Sequence, residues 1–262
     1  MGTVVVWDCE TDTRLPRGDP LSREQAFLHS QITVACALVF KSEELLKKEN
    51  WDQALATATW HTFWRDKTPS GQTNPYIGLI KLFDQAESIV AYNGLGFDFR
   101  MLRKWYPRTG PNAAAFNPAA ARYQDHRMKC LDPMLRIAEA MDIPYPGLDR
   151  LLRSNNLGGK TGDGLQAIKM WEEGRREELE AYCKSDVDSL AKLVYLPVMV
   201  TGGQGGTSHA NVGRHLLAQR ALQPVLSEDD WAMVTTDSLS DQVCQNAFPG
   251  NVHLDGTPVE VK

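Results

Sequence analysis

Short apolar runs separated by polar segments fill the first part of the chain and predict three strands. Residues 3–7 form a β-branched run that ends at Asp8, which is typical of a buried strand. Residues 32–40 and 57–64 predict the second and third strands, and the charged stretch 41–56 between them predicts a helical insertion. Because the three strands follow one another in the chain, they are expected to form an antiparallel meander.

The period of the apolar residues changes after residue 73, where helices begin to alternate with strands. In residues 134–141 the apolar side chains stand at i, i+3, i+4 and i+7, the spacing of an amphipathic helix. The other expected elements are a helix beginning at Asn74-Pro75, strands at 88–92 and 128–131, helices at 97–105 and 177–196, and an Ala- and Pro-rich connector up to about residue 123. This alternation indicates parallel pairing. The expected fold class is therefore α/β, with a mixed five-stranded sheet of three antiparallel strands followed by parallel βαβ units, and with helices on both faces.

A Gly-rich stretch at residues 201–208 marks the expected edge of the domain. Residues 1–200 are accordingly assigned to a single domain. Residues 201–262 are assigned to a Gly-rich linker and a C-terminal extension, in which no pattern indicates a chemical role.

Composition narrows the class of protein. The 262 residues are 42% hydrophobic and carry a formal net charge of −5, which argues against a protein that coats nucleic acid through its phosphates. The five cysteines are widely spaced and form no C-x-x-C pair, so neither a disulfide framework nor a zinc site is expected. The sequence has no signal pattern and no apolar run long enough to span a bilayer. The expected location is intracellular, in the cytoplasm or nucleus, without membrane contact.

Two acids stand at the end of the first strand. Asp8 and Glu10 are two residues apart, so their side chains point to the same face of a strand. Two neighbouring carboxylates are costly to hold together unless a hard cation neutralises them, and oxygen ligands are those that Mg²⁺ and Mn²⁺ prefer. A solvated strand end with two harmless acids is the alternative.

Two further groups of residues have a spacing that fits the same chemistry. Asp98 follows the turn Asn93-Gly94-Leu95-Gly96-Phe97 and opens a helix, where it acts either as a ligand or as a plain helix cap. Tyr182 and Asp186 stand at i and i+4 and so share one face of a helix. A buried tyrosine with a salt-bridging aspartate beside it is the alternative for this pair.

Taken together, three segments carry a family resemblance. VVWDCETD, IVAYNGLGFDF and YCKSDVDSL resemble the three motifs of the DEDD superfamily of 3′–5′ exonucleases, which has a ribonuclease H-like fold. The sister branch of that superfamily has a histidine at the position of Ala181, so the chain resembles the tyrosine (DEDDy) branch and is similar to the exonuclease domain of family-B DNA polymerases. The resemblance runs from about residue 3 to residue 197.

The resemblance implies the hydrolysis of phosphodiester bonds with two Mg²⁺ or Mn²⁺ ions about 4 Å apart. Asp8 would bridge both ions, Glu10 and Asp186 would complete the first, and Asp98 would hold the second through water. Tyr182 would orient the attacking water. These five residues are the predicted catalytic site, and the four acids are the predicted metal ligands.

The implied substrate is the 3′ end of single-stranded nucleic acid, with DNA slightly favoured over RNA. Phe97 is a candidate wall of the pocket for the terminal base or else a core aromatic, Asn93 contacts the nucleotide or forms the turn, and Lys160 contacts a phosphate or is a surface lysine. A partner in replication, repair or RNA processing is compatible with this activity. A non-catalytic nucleic-acid-binding module with the same fold and a ribonuclease H-like endonuclease stay open as alternatives.

Overall fold

The computed structural model describes residues 2–14, 26–42, 51–67, 73–106, 118–141, 145–159, 162, 164–196, 199–200 and 209–210. Lys160, residues 43–50 of the expected insertion and nearly all of the C-terminal extension lie outside these ranges.

Five strands form one mixed sheet. They are β1 (Thr3–Thr11), β2 (Ile32–Lys41), β3 (Thr59–Trp64), β4 (Ala86–Val90) and β5 (Cys130–Leu131). Their order across the sheet is β3-β2-β1-β4-β5. β2 pairs antiparallel with both β1 and β3, whereas β4 pairs parallel with both β1 and β5. The expected fold class, an α/β sheet with an antiparallel meander followed by parallel strands, is therefore confirmed.

Helices cover both faces of this sheet. They are α1 (Trp51–Ala56), α2 (Ile77–Gln85), α3 (Asp98–Leu102) with a 3₁₀ turn at Arg103–Trp105, α4 (Pro118–Met128), α5 (Pro133–Met141), α6 (Leu148–Ser154), α7 (Gly164–Glu172) and α8 (Arg176–Tyr195). Buried residues of α7 and α8 pack against one face, and those of α2, α3 and α4 pack against the other. Within the part of the chain that the structure describes, no helix has the length and apolar character needed to cross a membrane.

The alternation of side chains along β1 decides which way the acids point. Val4 and Val6 lie in the core under α8, while Val5 and Trp7 lie in the core under α2 and α3. The indole of Trp7 is fully buried, and its ring centroid is 5.1 Å from that of Phe83. Since successive strand residues face opposite sides, Asp8 and Glu10 fall on the face that α8 covers.

Several element boundaries differ from expectation. Helix α2 begins at Ile77 rather than at Asn74, because the Asn74 side-chain oxygen accepts the amide of Tyr76 and closes a turn before the helix. Helix α4 occupies residues 118–128, which were expected to be mostly connector, and α7 was not expected at all. The side chains that tie α4 to the core are few, which explains why the sequence pattern did not reveal it.

Two short strands flank the Gly-rich stretch. β6 (Met199–Val200) pairs antiparallel with β7 (His209–Ala210). The pairing ties the two sides of residues 201–208 together. The division of the chain at residue 200 stays a prediction.

A polar network surrounds the buried ring of His126 between α2 and α4. His126 has no exposed surface, and its Nδ1 lies 2.7 Å from the hydroxyl of Tyr106. Its Nε2 lies 3.0 Å from Oδ1 of Asp84, which also accepts from Arg122. Burial lowers the pKa of His126 to about 4, although the neighbouring Asp84 carboxylate opposes this shift.

The His126 ring should make stability depend on pH. Its pKa rises from about 4 in the folded chain to the ordinary 6.5 in the unfolded chain, so between these values the unfolded chain binds more protons. Stability should therefore fall as the pH drops from 6.5 towards 4. For a pKa difference of this size, the loss at pH 4.5 is about 2–3 kcal/mol.

Urea denaturation at pH 7 and pH 4.5 measures this effect. His126→Gln should remove most of the pH-dependent loss, whereas the same change at the exposed His29 should leave it in place. Equal pH dependence in all three proteins would contradict the assignment to His126.

Candidate active site

Strand β1 supplies the first two acids. Asp8 pairs with Cys36 and Glu10 pairs with Val34 in the antiparallel ladder, and the register shifts directly after Glu10. The hydroxyl of Thr33 donates to the backbone oxygen of Glu10 at 3.0 Å, which holds the strand at this irregular point. Glu10 is 8% exposed and Asp8 is half-buried. Both carboxylates therefore stand at the end of the ladder, partly shielded from water.

Helix α8 meets the same strand end through Cys183. The Cys183 thiol donates to the backbone oxygen of Asp8 over 3.6 Å. One ligand atom from each of Asp8, Glu10 and Cys183 lies within 4.8 Å of the others, a spacing that could hold a metal ion. The spacing of residues along the sequence did not reveal this position of Cys183 beside the acids.

The predicted pair on α8 flanks this cysteine. Tyr182 is 6% exposed and Asp186 is 3% exposed. Tyr182 belongs to the core between α8 and the sheet, and Asp186 lies one helical turn beyond it. Gly162 approaches the other side of the phenol, since a Cβ at that position would stand 3.2 Å from Cε2 of Tyr182. The tyrosine ring is thus enclosed between α8 and the segment that precedes α7.

Asp98 reaches the strand from a different part of the chain. Its Oδ1 accepts the backbone amide of Cys9 at 3.1 Å and the Cys9 thiol at 3.2 Å. The parallel β1–β4 ladder ends at the pair Val6 and Val90, so the carboxylate takes an amide beyond the end of that ladder. Helix α3 begins at Asp98 without any side-chain cap. The alternative interpretation of Asp98 as a plain helix cap is therefore wrong.

Burial makes this group of acids electrostatically costly. Asp98 is 2% exposed, and its pKa lies well above the usual range, first because of burial and then because of the neighbouring Asp8 charge. Burial, with Asp98 and Asp8 close by, also raises the pKa of the Cys9 thiol. A positive charge placed among these carboxylates would offset both effects.

The turn that carries Asp98 is shaped by Asn93. Asn93 has a φ of 58°, the left-handed region that asparagine tolerates better than most residues. Its backbone oxygen accepts the amides of Gly96 and Phe97 at 3.1 and 2.9 Å, so the turn-forming role is shown. Its side-chain Oδ1 is buried and has no hydrogen-bond partner among the residues that the structure describes. Phe97 is half-buried, with its ring 5.9 Å from that of Phe27.

Two basic side chains that follow Asp98 contact the segment of residues 26–30. The guanidinium of Arg100 lies 4.0 Å from the centre of the Phe27 ring. The ammonium of Lys104 donates to the backbone oxygens of Leu28 and Ser30, and burial lowers its pKa. Lys104 thus anchors the segment of residues 26–30 to the 3₁₀ turn at the end of α3.

A further acid, Asp132, lies between β5 and α5. Oδ1 of Asp132 accepts the amide of Met134 at 3.2 Å, as a cap would. Asp132 also accepts the amides of Asn93 and Leu95 in the turn before Asp98. The available signal was its place at the end of a strand predicted to lie parallel to the one before the turn.

The family comparison agrees with these observations. The family described as "Predicted 3'-5' exonuclease related to the exonuclease domain of PolB" matches residues 78–222, more than half of the 262-residue chain. The chain belongs to this family. The matched range includes Asp98, Tyr182 and Asp186 and begins after Asp8 and Glu10. The predicted kinship with polymerase exonuclease domains is confirmed, and the tyrosine branch stays a prediction.

A solved structure is also similar to this chain. It is the family B DNA polymerase from the hyperthermophilic archaeon Pyrobaculum calidifontis, at 16% identity and a TM-score of 0.46, covering 74% of this chain. The similar region is 24% of the polymerase, so this chain spans about a quarter of its length. No curated protein matches the sequence.

The electrostatic cost of the buried acids leads to a test on stability. Asp98→Asn keeps an acceptor oxygen for the Cys9 amide and removes an ionisable group from a buried site. Without metal, its free energy of unfolding should stay within about 1 kcal/mol of the wild type or exceed it. Because Asp98 is a predicted metal ligand, we expect Mg²⁺ or Mn²⁺ to stabilise the wild type but not this variant.

Thermal and urea denaturation with EDTA and with each metal measure both effects. The matched control is Asp188→Asn, since Asp188 pairs with Lys192 on a half-exposed face of α8. It should change stability by less than about 0.5 kcal/mol and keep the response to metal. If Mg²⁺ or Mn²⁺ still stabilises the Asp98→Asn variant, Asp98 is not a metal ligand.

Proposed function

We propose that this protein is a metal-dependent 3′–5′ exonuclease that removes nucleotides from the 3′ end of single-stranded nucleic acid, with DNA slightly favoured over RNA. The supporting observation is that the carboxylate of Asp98 accepts hydrogen bonds from the amide and the thiol of Cys9, 89 residues away in the chain. Cys9 is the residue between Asp8 and Glu10. Membership of a family of predicted exonucleases supports the class of reaction. The tyrosine branch is part of this proposal.

The donor set fits hard divalent cations. Carboxylate oxygens are the ligands that Mg²⁺ and Mn²⁺ prefer. The nearby Cys183 thiol is a poor ligand while protonated, and burial holds its pKa well above the usual range. We assign Asp8, Glu10, Asp98 and Asp186 as ligands of two such ions. When bound, the ions would activate water and stabilise the leaving 3′ oxygen.

The chain itself holds the acids in place for this chemistry. Both hydrogen bonds that the described residues make to Asp98 end on Oδ1, so Oδ2 is available for a ligand or a bound water. The thiol contact of Cys183 with the Asp8 backbone fixes the distance between α8 and β1. The proposed ligands would therefore stand on strands, turns and helices of the fold before any substrate binds, which favours catalysis.

Two residues are proposed to lie on the substrate side. The side-chain oxygen of Asn93 is buried and has no hydrogen-bond partner in the described part of the chain, and a nucleotide could supply the missing donor. Phe97 is only half-buried and directly precedes Asp98, so its exposed part could contact the terminal base. A phosphate contact by Lys160 stays a prediction outside the described residues.

The activity has a direct test. The protein is incubated with 5′-labelled single-stranded DNA and RNA oligonucleotides in Mg²⁺, Mn²⁺ or EDTA, beside an Asp8→Ala variant. We expect a ladder that shortens from the 3′ end and disappears with EDTA and in the variant. Oligonucleotides left intact under every metal condition would contradict catalysis and support a binding module.

Substrates with blocked 3′ ends form the second arm of this experiment. An exonuclease of the proposed kind should leave them intact. Internal cleavage of a blocked substrate would instead identify a ribonuclease H-like endonuclease. Relative rates on DNA and RNA would decide which nucleic acid is preferred.

Tyr182 is proposed to hydrogen-bond the attacking water. Tyr182→Phe removes only the hydroxyl, so kcat should fall by about 10- to 100-fold. Metal-dependent stabilisation should persist, because the acids are untouched. Single-turnover kinetics on the 5′-labelled oligonucleotide measure the rate of the chemical step.

Tyr195→Phe is the matched control, since Tyr195 is also buried on α8 but lies at its C-terminal end. It should leave kcat within about twofold of the wild type, as expected for a residue far from the reaction. If kcat falls equally in the two variants, the cause is altered packing of α8 and not the loss of the Tyr182 hydroxyl.

A further inference from the structure

Asp132 is a buried acid between β5 and α5. It is 2% exposed. Its Oδ1 accepts the amide of Asn93 at 2.9 Å, and its Oδ2 accepts the amide of Leu95 at 3.2 Å. Oδ1 also accepts the amide of Met134, and the amide of Leu135 binds the same carboxylate. Two of these amides belong to the turn before Asp98 and two belong to the first turn of α5.

The sheet brings this carboxylate to the turn. β4 and β5 run parallel with Val90 opposite Leu131, and the amide of Ala91 still binds the oxygen of Leu131 at 3.3 Å. Asp132 is the next residue, so it faces the chain where it leaves β4. The carboxylate continues the strand pairing with side-chain oxygens, which replace backbone oxygens as acceptors for the turn.

A chain of hydrogen bonds links Asp132 to the active site. The amide of Asn93 is held by Asp132, and the oxygen of Asn93 accepts the amide of Phe97 at 2.9 Å. The oxygen of Gly94 accepts the amide of Phe99 at 2.9 Å. Asp98 lies in the chain between Phe97 and Phe99, and its carboxylate accepts the Cys9 amide. Every link is a bond to the backbone, so a shift of the turn would move Asp98.

Capping of α5 alone does not account for a carboxylate at this position. Asn and Asp cap helices about equally well, and burial penalises the charged acid, which raises the pKa of Asp132 to about 6. An asparagine would keep one acceptor oxygen, but its amide group would face either the Asn93 or the Leu95 amide. Only two acceptor oxygens satisfy the helix and both amides of the turn.

We propose that Asp132 is a positioning residue of the nuclease, whose carboxylate holds the 93–97 turn so that Asn93 and Asp98 stand beside Asp8 and Glu10. This inference rests on the proposed function for its effect on catalysis. Its structural part, the restraint of the turn, does not.

The test uses Asp132→Asn in the full chain. Hydrogen exchange followed by mass spectrometry should show lost protection in peptides covering residues 91–99 and little change in β1, β2 and α8. The kcat on 5′-labelled DNA should fall by about 10- to 100-fold, as expected for a misplaced catalytic group. The Mn²⁺ concentration for half-maximal activity should rise several-fold, since Asp98 is displaced.

A matched control and a second variant accompany this test. Asp125→Asn removes an acid that is 58% exposed and paired with Lys129, and it should change none of the three measurements. Asp132→Ser can still cap α5 through its hydroxyl but cannot bind both amides of the turn. It should reproduce the effects of Asp132→Asn and serves if that variant does not fold.

Each outcome decides the proposal. Local loss of protection, together with the lower kcat and the higher Mn²⁺ concentration for half-maximal activity, supports it. Unchanged protection at 91–99, or a loss spread evenly over the whole chain, overturns it. If the wild type degrades no oligonucleotide, the proposed function fails, and the exchange data alone still decide whether Asp132 holds the turn.

Discussion

The structure depends on one electrostatic constraint, the burial of carboxylates on β1, on the turn after β4 and on α8. Glu10, Asp98 and Asp186 are each less than a tenth exposed, and buried ionised acids are unfavourable unless they are paired or hydrogen-bonded. The backbone meets part of this cost, since the Cys9 amide binds Asp98. The raised pKa of Asp98 shows that the rest remains. Buried acids of this kind lower the stability of the metal-free protein, and a cation bound among them would restore it.

Backbone amides bind two of the buried acids, Asp98 and Asp132. Asp98 takes the amide of Cys9, and Asp132 takes amides from both a turn and a helix. An amide on a strand or in a first helical turn is fixed by its own element, so it places a carboxylate more accurately than a flexible lysine does. A backbone amide has no net charge, so it leaves in place the negative charge of the carboxylate that it binds.

The site joins three segments that are far apart in the chain. β1 carries two acids, the turn after β4 carries a third, and α8 carries a buried tyrosine and a fourth acid. The parallel β1–β4 pairing aligns the first two segments at their carboxyl ends, where functional groups gather in α/β sheets. The contact between Cys183 and the Asp8 backbone brings the third segment to the same place. A family of predicted exonucleases is the setting in which this convergence is most easily understood.

The sequence by itself determined the fold class, the antiparallel start and parallel continuation of the sheet, and the acids that stand at the element ends. Side-chain periods of 2 and 3.6 are local properties, so they can be recognised without knowing what packs against them. Only the tertiary structure decided that Asp98 binds the Cys9 amide instead of capping α3, that Cys183 stands beside Asp8, and that Asp132 holds the turn. Helix α4 was equally hidden, since its burial rests on contacts such as that of His126 with Asp84. These choices depend on which donors lie within about 3 Å after the chain has folded, and spacing along the sequence does not contain that distance.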